Sequence, residues 1–188
     1  MKNRVYRVLA ATVLTVASGT AIAEAPGPAQ SCVACHGQQG QSASAQWPNL
    51  AGQHAAYLAD QITAFRDGTR ENEAMMPFVK ELSDEDIQQL ADYYAKLPLT
   101  TSASGDPALV ERGQGLAGYC SACHGMRGEP VAQNWPILAG QHAAYLEQQL
   151  KAYKSSKRVH PLMQAALSRL GNDDFKALAA YYSQLVPE

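Results

Sequence analysis

The sequence has few aromatic residues, few charges and no long apolar stretch after its N-terminus. Aromatic residues make up 7% and charged residues 17% of the 188 residues, and the formal net charge is only −2. A chain so close to neutral lacks the strongly basic face that nucleic-acid-binding proteins need. The alternation of apolar and polar residues that is typical of strands is also missing. We therefore expect an all-α protein of one or two small domains that does not bind nucleic acid.

The N-terminus has the features of an export signal. Three basic residues precede a short apolar run over 8–16, and Ala21-Ile22-Ala23 fits the small-residue rule for signal cleavage. The run is too short to span a bilayer comfortably. We predict that residues 1–23 are a cleaved signal peptide and that the mature protein begins at Glu24 in the periplasm. The alternative is an uncleaved membrane anchor.

The four cysteines all lie in two Cys-x-x-Cys-His motifs. These are Cys32, Cys35 and His36 in the first motif, and Cys120, Cys123 and His124 in the second. The periplasm is oxidising, so neighbouring cysteines there are either joined by a disulfide or covalently occupied. Dithiol redox chemistry and zinc binding also use Cys-x-x-Cys, but neither needs the histidine that follows.

Covalent haem attachment does need this histidine. Two thiols about one helical turn apart can add to the two vinyl groups of a haem, and the adjacent histidine then lies under the iron as its proximal ligand. The two motifs therefore predict two covalently bound haem c groups.

The mature chain is an internal duplication with a period of 88 residues. Residues 31–97 align with 119–185 without a gap and share 28 of 67 positions, and the longest shared run covers 50–58 and 138–146. A segment rich in Pro, Ser, Thr and Gly at 98–107 is typical of a surface linker. We predict an N-terminal domain over 24–102 and a C-terminal domain over 103–188, each with one haem.

Both copies have helical periodicity in the same places. Helices are expected over 53–67 and from Ser83 to Leu97, and again over 141–154 and 172–185. Asp106 and Pro107 form a good start for a helix over 107–117, ahead of the second motif. Only eight mature residues precede Cys32, and three of these are Pro or Gly. We therefore expect the first copy to lack its leading helix.

Each iron needs a second axial ligand or an open site. Met75 and Met163 occupy equivalent positions in the two copies, and a thioether opposite an imidazole suits an electron carrier. Met76 aligns with Gln164 and is a weaker candidate. His54 and His142 are rival ligands, but we interpret them as histidines at helix starts that form local hydrogen bonds, because ligation by them would leave the paired methionines unexplained.

Several further motifs recur in order in both halves. They are Cys32-Val-Ala-Cys35-His36-Gly37, Trp47-Pro48-Asn49-Leu50-Ala51-Gly52-Gln53-His54, Met75-Met76-Pro77, Leu82-Ser83-Asp84-Glu85-Asp86-Ile87 and Tyr93-Tyr94, with Pro136-Ile137-Leu138-Ala139-Gly140-Gln141 and Tyr181-Tyr182 among their copies. In these motifs the chain resembles the dihaem class I cytochromes c, and specifically the cytochrome c4 family, over nearly all of 31–187.

The resemblance implies two tandem class I cytochrome c domains and a set of site residues. It pairs His36 with Met75 on the first iron and His124 with Met163 on the second. It also implies that the carbonyl groups of Pro48 and Pro136 accept the imidazole N–H of these histidines, and that Tyr57 and Tyr145, or Gln53 and Gln141, reach the haem propionates.

The resemblance further implies a periplasmic electron carrier that is not an enzyme. Its expected partners are redox proteins: a quinol-oxidising complex or dehydrogenase as donor and a terminal oxidase or reductase as acceptor, with room for peripheral membrane association but no small-molecule substrate. One alternative is the cytochrome subunit of an enzyme such as a flavocytochrome sulfide dehydrogenase, with a flavoprotein partner. Another is a small dihaem redox enzyme with peroxidase or thiosulfate-oxidising activity.

Charge divides unevenly between the predicted domains. The mature chain carries a net charge of −5, of which 24–102 contributes −6 and 103–188 contributes +1. Lys151, Lys154, Lys157 and Arg158 cluster ahead of Met163. Opposite faces could steer different redox partners to the two haems, although basic residues at a helix end also simply suit the helix dipole.

Overall fold

The computed structural model describes residues 25–100 and 105–187. The predicted signal peptide and the predicted domain boundary at residue 102 lie outside the described residues. The helices of the first half are α1 (Ala29–His36), α2 (Ala55–Arg66), α3 (Met76–Val79) and α4 (Asp84–Ala95); those of the second half are α5 (Pro107–Ala117), α6 (Ser121–His124), α7 (Ala143–Lys154), α8 (Pro161–Ala166) and α9 (Asn172–Ser183). Over these two ranges no residue is in a strand, which confirms the all-α prediction.

The helix starts follow from local side-chain chemistry. The Ser83 hydroxyl accepts the Asp86 N–H while the Asp86 carboxylate accepts the Ser83 N–H, so a reciprocal cap begins α4. The Asp106 carboxylate accepts the N–H groups of Ala108 and Leu109 ahead of α5. Helices α2 and α7 begin two residues later than predicted, because His54 and His142 have ψ near 129° and 128° and serve as N-caps.

The first half has no counterpart of α5 among its described residues, as predicted. In the second half α5 packs against α9, and Gly113 allows close approach, since a Cβ there would lie 2.1 Å from the Ala177 carbonyl oxygen. At the positions equivalent to the buried Ala177 and Ala180 of α9, α4 carries Gln89 and Asp92. Polar side chains at these positions suit a face of α4 that no helix of the described residues covers.

Each half has its own apolar core built around its last helix. Leu90 and Tyr94 of α4 are the most buried large residues of the first half, and Leu178 and Tyr182 of α9 hold the same places in the second. Helix α2 packs on α4, and α7 packs on α9. In both halves the first cysteine of the motif packs against this core, so the core fixes the position of the motif.

The two halves join through polar contacts that repeat with the duplication. The side-chain amide of Gln53 bonds both the N–H and the carbonyl oxygen of Ile137, and Gln141 bonds the same groups of Asn49. Both glutamines are buried. Across the residues given above, no helix is both long and apolar enough to cross a bilayer.

Candidate cofactor site

A single cavity of about 1030 Å³ runs through both halves. Both Cys-x-x-Cys-His motifs line it, together with Met75 and Met163. Its walls are mainly apolar side chains from the helices of each half: Leu58, Ile62, Phe65 and Leu90 in the first, and Leu146, Leu150, Tyr153 and Leu178 in the second. The structure thus brings together the cysteines, histidines and methionines that the sequence singled out.

Helix geometry sets the spacing of each motif. Helix α1 contains Cys32, Cys35 and His36, so its two thiols lie about one turn apart. In the second half Cys120 precedes the short helix α6 as its N-cap. A glycine with positive φ follows each histidine and turns the chain at once: a Cβ at Gly37 would lie 2.0 Å from the Gln41 carbonyl oxygen.

The two motif histidines are oriented by backbone carbonyl groups. The Nδ1 atom of His36 lies 2.9 Å from the Pro48 oxygen, and that of His124 lies 3.2 Å from the Pro136 oxygen. A carbonyl oxygen only accepts, so each Nδ1 carries the proton and each Nε2 keeps a free lone pair. Burial lowers the pKa of both rings and so favours the neutral form. The Nε2 atom of His36 is buried without a hydrogen-bond partner, as expected of a metal ligand.

Met75 and Met163 line the cavity, whereas Met76 and Met126 do not. Met75 is the N-cap of α3 and Met163 lies within α8; both are half-buried and line the cavity. Met76 is 39% exposed and Met126 is 82% exposed, and neither lines it. Position therefore separates Met75 from its neighbour, which residue type alone could not do.

His54 and His142 are not among the residues that line the cavity. His54 Nδ1 donates to the Trp135 oxygen at 2.9 Å, and His142 Nε2 donates to the Ser42 oxygen at 2.9 Å. The prediction of local hydrogen bonds for these histidines is wrong, because each ring reaches the opposite half. Gln53 and Gln141 line the cavity, and their side-chain amides bind backbone groups of the opposite half.

A cluster of six polar residues, which we call the arginine cluster, lies where the two halves meet and lines the same cavity. It consists of Tyr57, Gln61 and Arg70 from the first half and Tyr145, Gln149 and Arg158 from the second. Sequence reasoning singled out the tyrosines as cofactor contacts but named Arg158 only as part of a basic cluster. It missed Arg70 and both glutamines. A signal was available, because all six positions are identical between the two copies.

Two buried hydroxyl groups also lie beside the motifs. The Tyr94 and Tyr182 hydroxyl oxygens are buried without a hydrogen-bond partner, and each ring packs in the core that holds the first cysteine of its half. Burial raises the pKa of both phenols. Each hydroxyl lies beside the thiol of the first motif cysteine of its half, Cys32 for Tyr94 and Cys120 for Tyr182.

The residues present fit two covalently attached haems. Each half offers a thiol pair, an imidazole nitrogen with a free lone pair and a thioether, all facing an apolar space of suitable size. The arginine cluster supplies positive charge at the end of the cavity where the halves meet. This combination of soft donors, apolar walls and cationic groups is what an iron porphyrin with carboxylate side chains requires.

Comparison with known proteins agrees with this arrangement. Residues 15–93 match the family model described as cytochrome C oxidase, cbb3-type, subunit III, and residues 110–185 match the model for cytochrome c. Each half of the chain is thus similar to one cytochrome c module.

Relatives of similar length share both halves. A cytochrome c4 from Thiocapsa roseopersicina is 36% identical over 82% of this chain and 86% of the relative. A protein named thiosulfate dehydrogenase electron acceptor from Thiomonas intermedia is 40% identical over 83% of this chain and 77% of the relative. The crystal structure of reduced recombinant cytochrome c4 from Pseudomonas stutzeri superposes with a TM-score of 0.81, at 30% identity over 85% of this chain and 95% of that one.

Proposed function

The chain belongs to the cytochrome c4 family of dihaem c-type cytochromes, and from that premise we propose that it carries electrons between redox proteins in the periplasm. It consists of two tandem cytochrome c domains and carries two covalently bound haem c groups. One observation carries the proposal: two equivalent sets of cysteine, histidine and methionine side chains line one continuous cavity.

In this proposal the domains extend over 24–102 and 103–188, after removal of residues 1–23. The sulfur atoms of each cysteine pair hold one haem by thioether bonds: Cys32 and Cys35 in the first domain, Cys120 and Cys123 in the second. His36 and Met75 would hold the first iron, and His124 and Met163 would hold the second.

When bound, each haem supplies one-electron exchange between Fe(II) and Fe(III). The chain would hold the haem and adjust its reduction potential. Pro48 and Pro136 accept the Nδ1–H of the histidines, which fixes the ring orientation and raises the basicity of Nε2. The buried apolar walls limit access of water. With an imidazole and a thioether from the chain on each iron, neither iron would offer a position to a substrate.

An anaerobic reductive titration tests electron carriage directly. The ferric protein should take up two electrons per chain, and it should neither consume hydrogen peroxide nor oxidise thiosulfate on its own. Turnover of either compound without a partner protein would show that the chain is an enzyme with a displaceable ligand. Met75→Ala, which opens one iron, serves as the positive control for such turnover.

A thiosulfate dehydrogenase is the electron donor that the comparisons favour among several. The relative from Thiomonas intermedia is named as the electron acceptor of a thiosulfate dehydrogenase. With the ferric protein, thiosulfate and a thiosulfate dehydrogenase together should give rapid reduction, and omission of any one should abolish it. A flavoprotein sulfide dehydrogenase in place of the thiosulfate enzyme tests the alternative that this chain is a flavocytochrome subunit.

The basic residues ahead of Met163 are a smaller docking surface than the sequence predicted. Arg158 is buried in the arginine cluster, and the Lys154 ammonium donates to the carbonyl oxygens of Leu167 and Ser168. All three lysines are exposed; Lys151 is paired with Glu147, and Lys157 has neither of these contacts. If they steer an acidic partner, Lys151→Gln with Lys157→Gln should slow the reaction with one partner only; equal slowing with donor and acceptor would contradict this role.

A further inference from the structure

A buried tyrosine hydroxyl lies beside the first motif cysteine in each half. The Tyr94 hydroxyl is next to the Cys32 thiol, and the Tyr182 hydroxyl is next to the Cys120 thiol. All four side chains line the cavity. Within the described part of the chain, neither hydroxyl oxygen has a hydrogen-bond partner. Burial of a hydroxyl is costly unless another group replaces its hydrogen bonds to water, so each of these hydroxyls needs an acceptor close by.

Each tyrosine ring is held in place by its own half. The Tyr94 carbonyl oxygen accepts the Gly52 N–H at 3.0 Å. The Tyr94 ring packs directly on Gly40, where a Cβ would lie 2.7 Å from the ring Cδ1 atom. The Tyr182 ring packs on Gly128 in the same way, with its Cδ1 atom 2.8 Å from a Cβ at that position. Because backbone and ring are both fixed, each hydroxyl stays beside its cysteine.

The pKa values of these groups show which way each hydroxyl proton points. Burial raises the pKa of the Cys32 and Cys120 thiols, and the neighbouring tyrosine hydroxyl acts in the opposite direction. A hydroxyl has this effect when its proton faces the sulfur and stabilises negative charge there. Burial also raises the pKa of both phenols. Each phenol therefore keeps its proton at neutral pH and can donate it.

Attachment of haem turns the cysteine sulfur into a thioether, which has lone pairs but no proton and so only accepts, weakly. In the first half Ser31 also lies near the sulfur, but its hydroxyl already donates to the Pro28 oxygen at 2.9 Å. In the second half the equivalent residue is Tyr119, which is 74% exposed. Tyr94 and Tyr182 are therefore the donors that the two halves share.

We propose that Tyr94 and Tyr182 are positioning residues whose hydroxyl groups donate O–H···S hydrogen bonds to the haem thioether sulfurs of Cys32 and Cys120. This rests on the proposed function, because it takes the thioether bonds as given. The positive end of each O–H dipole then lies against an atom bonded to the haem. A positive potential there favours the reduced, less positive iron, so each tyrosine raises the potential of the haem in its own half.

Tyr94→Phe removes the first hydroxyl and keeps the ring. It should lower the ratio of reduced to oxidised first haem about twofold at a fixed ambient potential, equivalent to about 18 mV at 59 mV per tenfold change, and leave the second haem unchanged. Tyr182→Phe should do the reverse. The matched controls are Tyr93→Phe and Tyr181→Phe, whose rings lie edge-on 5.1 Å from the rings of Tyr94 and Tyr182 but do not line the cavity. Neither control should change a potential.

Removal of the acceptor tests whether sulfur is the partner. In Cys32→Ala the first haem should stay attached through Cys35, and addition of Tyr94→Phe should then change its reduced-to-oxidised ratio by less than about 1.2-fold. Cys120→Ala with Tyr182→Phe repeats this double-mutant cycle in the second half. A twofold change that persists without the sulfur would overturn the proposal, as would equal changes at both haems or changes no larger than those of the controls.

Two spectroscopic measurements separate this proposal from the proposed function. Redox titration followed by NMR assigns the potentials, since the methyl signals of Met75 and Met163 each report one iron. In Cys32→Ala the pyridine haemochrome band should move to longer wavelength, because one haem keeps a vinyl group. An unmoved band would show that Cys32 forms no thioether bond, which refutes the proposed function. A moved band with no change of potential in Tyr94→Phe refutes the hydrogen bond alone.

A deuterium effect keeps the proposal testable if the cysteine variants do not retain haem. Exchange into heavy water replaces the hydroxyl protons, so the resonance Raman bands of the haem C–S bonds should shift in the unaltered protein. The shift should be lost in the variant with Tyr94→Phe and Tyr182→Phe and kept in the variant with Tyr93→Phe and Tyr181→Phe. No shift in the unaltered protein, or an equal shift in both variants, would refute the O–H···S bonds.

Discussion

Gln53 joins the two halves by bonding both backbone groups of Ile137. Its Nε2 atom donates to the Ile137 oxygen at 2.9 Å, and its Oε1 atom accepts the Ile137 N–H at 2.8 Å. The same oxygen also accepts the His54 N–H that begins α2. One buried side chain thus couples a helix start in the first half to the segment that holds the His124 partner in the second.

We expect Gln53→Ala to weaken the contact between the halves. It leaves the N–H and carbonyl oxygen of Ile137 without partners, which costs about 2 kcal/mol in the free energy of unfolding. Denaturant unfolding measures this loss, and hydrogen exchange of the Ile137 amide should accelerate. Gln38→Ala, at an exposed position, is the control and should change neither quantity. Unchanged exchange at Ile137 in Gln53→Ala would rule out this role.

The packing of α5 on α9 depends on Gly113. A Cβ at this position would lie 2.1 Å from the Ala177 carbonyl oxygen and 2.7 Å from the Tyr181 Cβ, so the two helices would have to move apart. Gly113→Ala should therefore destabilise the second half by at least about 2 kcal/mol. The matched control is Gly115→Ala on the same helix, where a Cβ would meet nothing within 4 Å.

The two substitutions should change the stability in opposite directions, and thermal unfolding measures the change. Gly115→Ala should raise the free energy of unfolding by up to about 1 kcal/mol, because alanine favours a helix interior over glycine. Gly113→Ala should lower the melting temperature despite the same gain in helix propensity. A rise for both variants would mean that α5 and α9 do not pack as closely as described.

Substitution of Met75 and of Met76 tests which methionine binds the first iron. Met75 lines the cavity, whereas Met76 is exposed and does not. Met75→Ala should halve the weak far-red charge-transfer band of the ferric protein and lower the potential of the first haem, since a thioether ligand raises it. Met76→Ala should leave both unchanged. The reverse pattern would place Met76 on the iron.

Asp174 gives the second half a pH-dependent part of its stability. Its carboxylate pairs with Arg112 at 2.7 Å and accepts the Gly171 N–H at 2.9 Å, and these two contacts lower its pKa. A lowered pKa in the folded state stabilises the protein above the unfolded value of about 4, and the contribution disappears as the pH falls through the folded value.

Asp174→Asn should therefore reduce stability at neutral pH, and the difference from the unaltered protein should shrink as the pH falls below about 4. Denaturant unfolding at several pH values measures it. Asp173→Asn, one position earlier and exposed, should show a smaller loss. A difference for Asp174→Asn that is the same at pH 7 and at low pH would exclude the ionised carboxylate as its cause.

The sequence predicted the long helices and the cysteine, histidine and methionine side chains that line the cavity, because both depend on local patterns. Periodicity and capping residues indicated each long helix, and the fixed spacing of cysteine, histidine and methionine in two copies indicated which side chains share a cavity. Over the described residues from 25 onward, the first half begins without a counterpart of α5, as the few mature residues ahead of Cys32 predicted. The polar Gln89 and Asp92 on α4 also indicate that no helix packs on that face of α4 as α5 packs on α9.

The contacts between the halves could not be predicted in the same way. They depend on how two domains pack, which no local pattern encodes. His54 and Gln53 looked like parts of one helix start, yet their side chains bind the opposite half. Arg158 looked like one member of a surface cluster, yet it is buried where the halves meet. Identity of a residue between the copies would have been a better guide than its charge.

The central claim is that each half holds one covalently attached haem, and pyridine haemochrome quantitation on the denatured chain tests it most directly. The unaltered protein should give two haems per chain that stay with the polypeptide after acid–acetone extraction. The variant with Cys120→Ser and Cys123→Ser should give one. A single haem in the unaltered protein, or haem that extracts freely, would contradict the account.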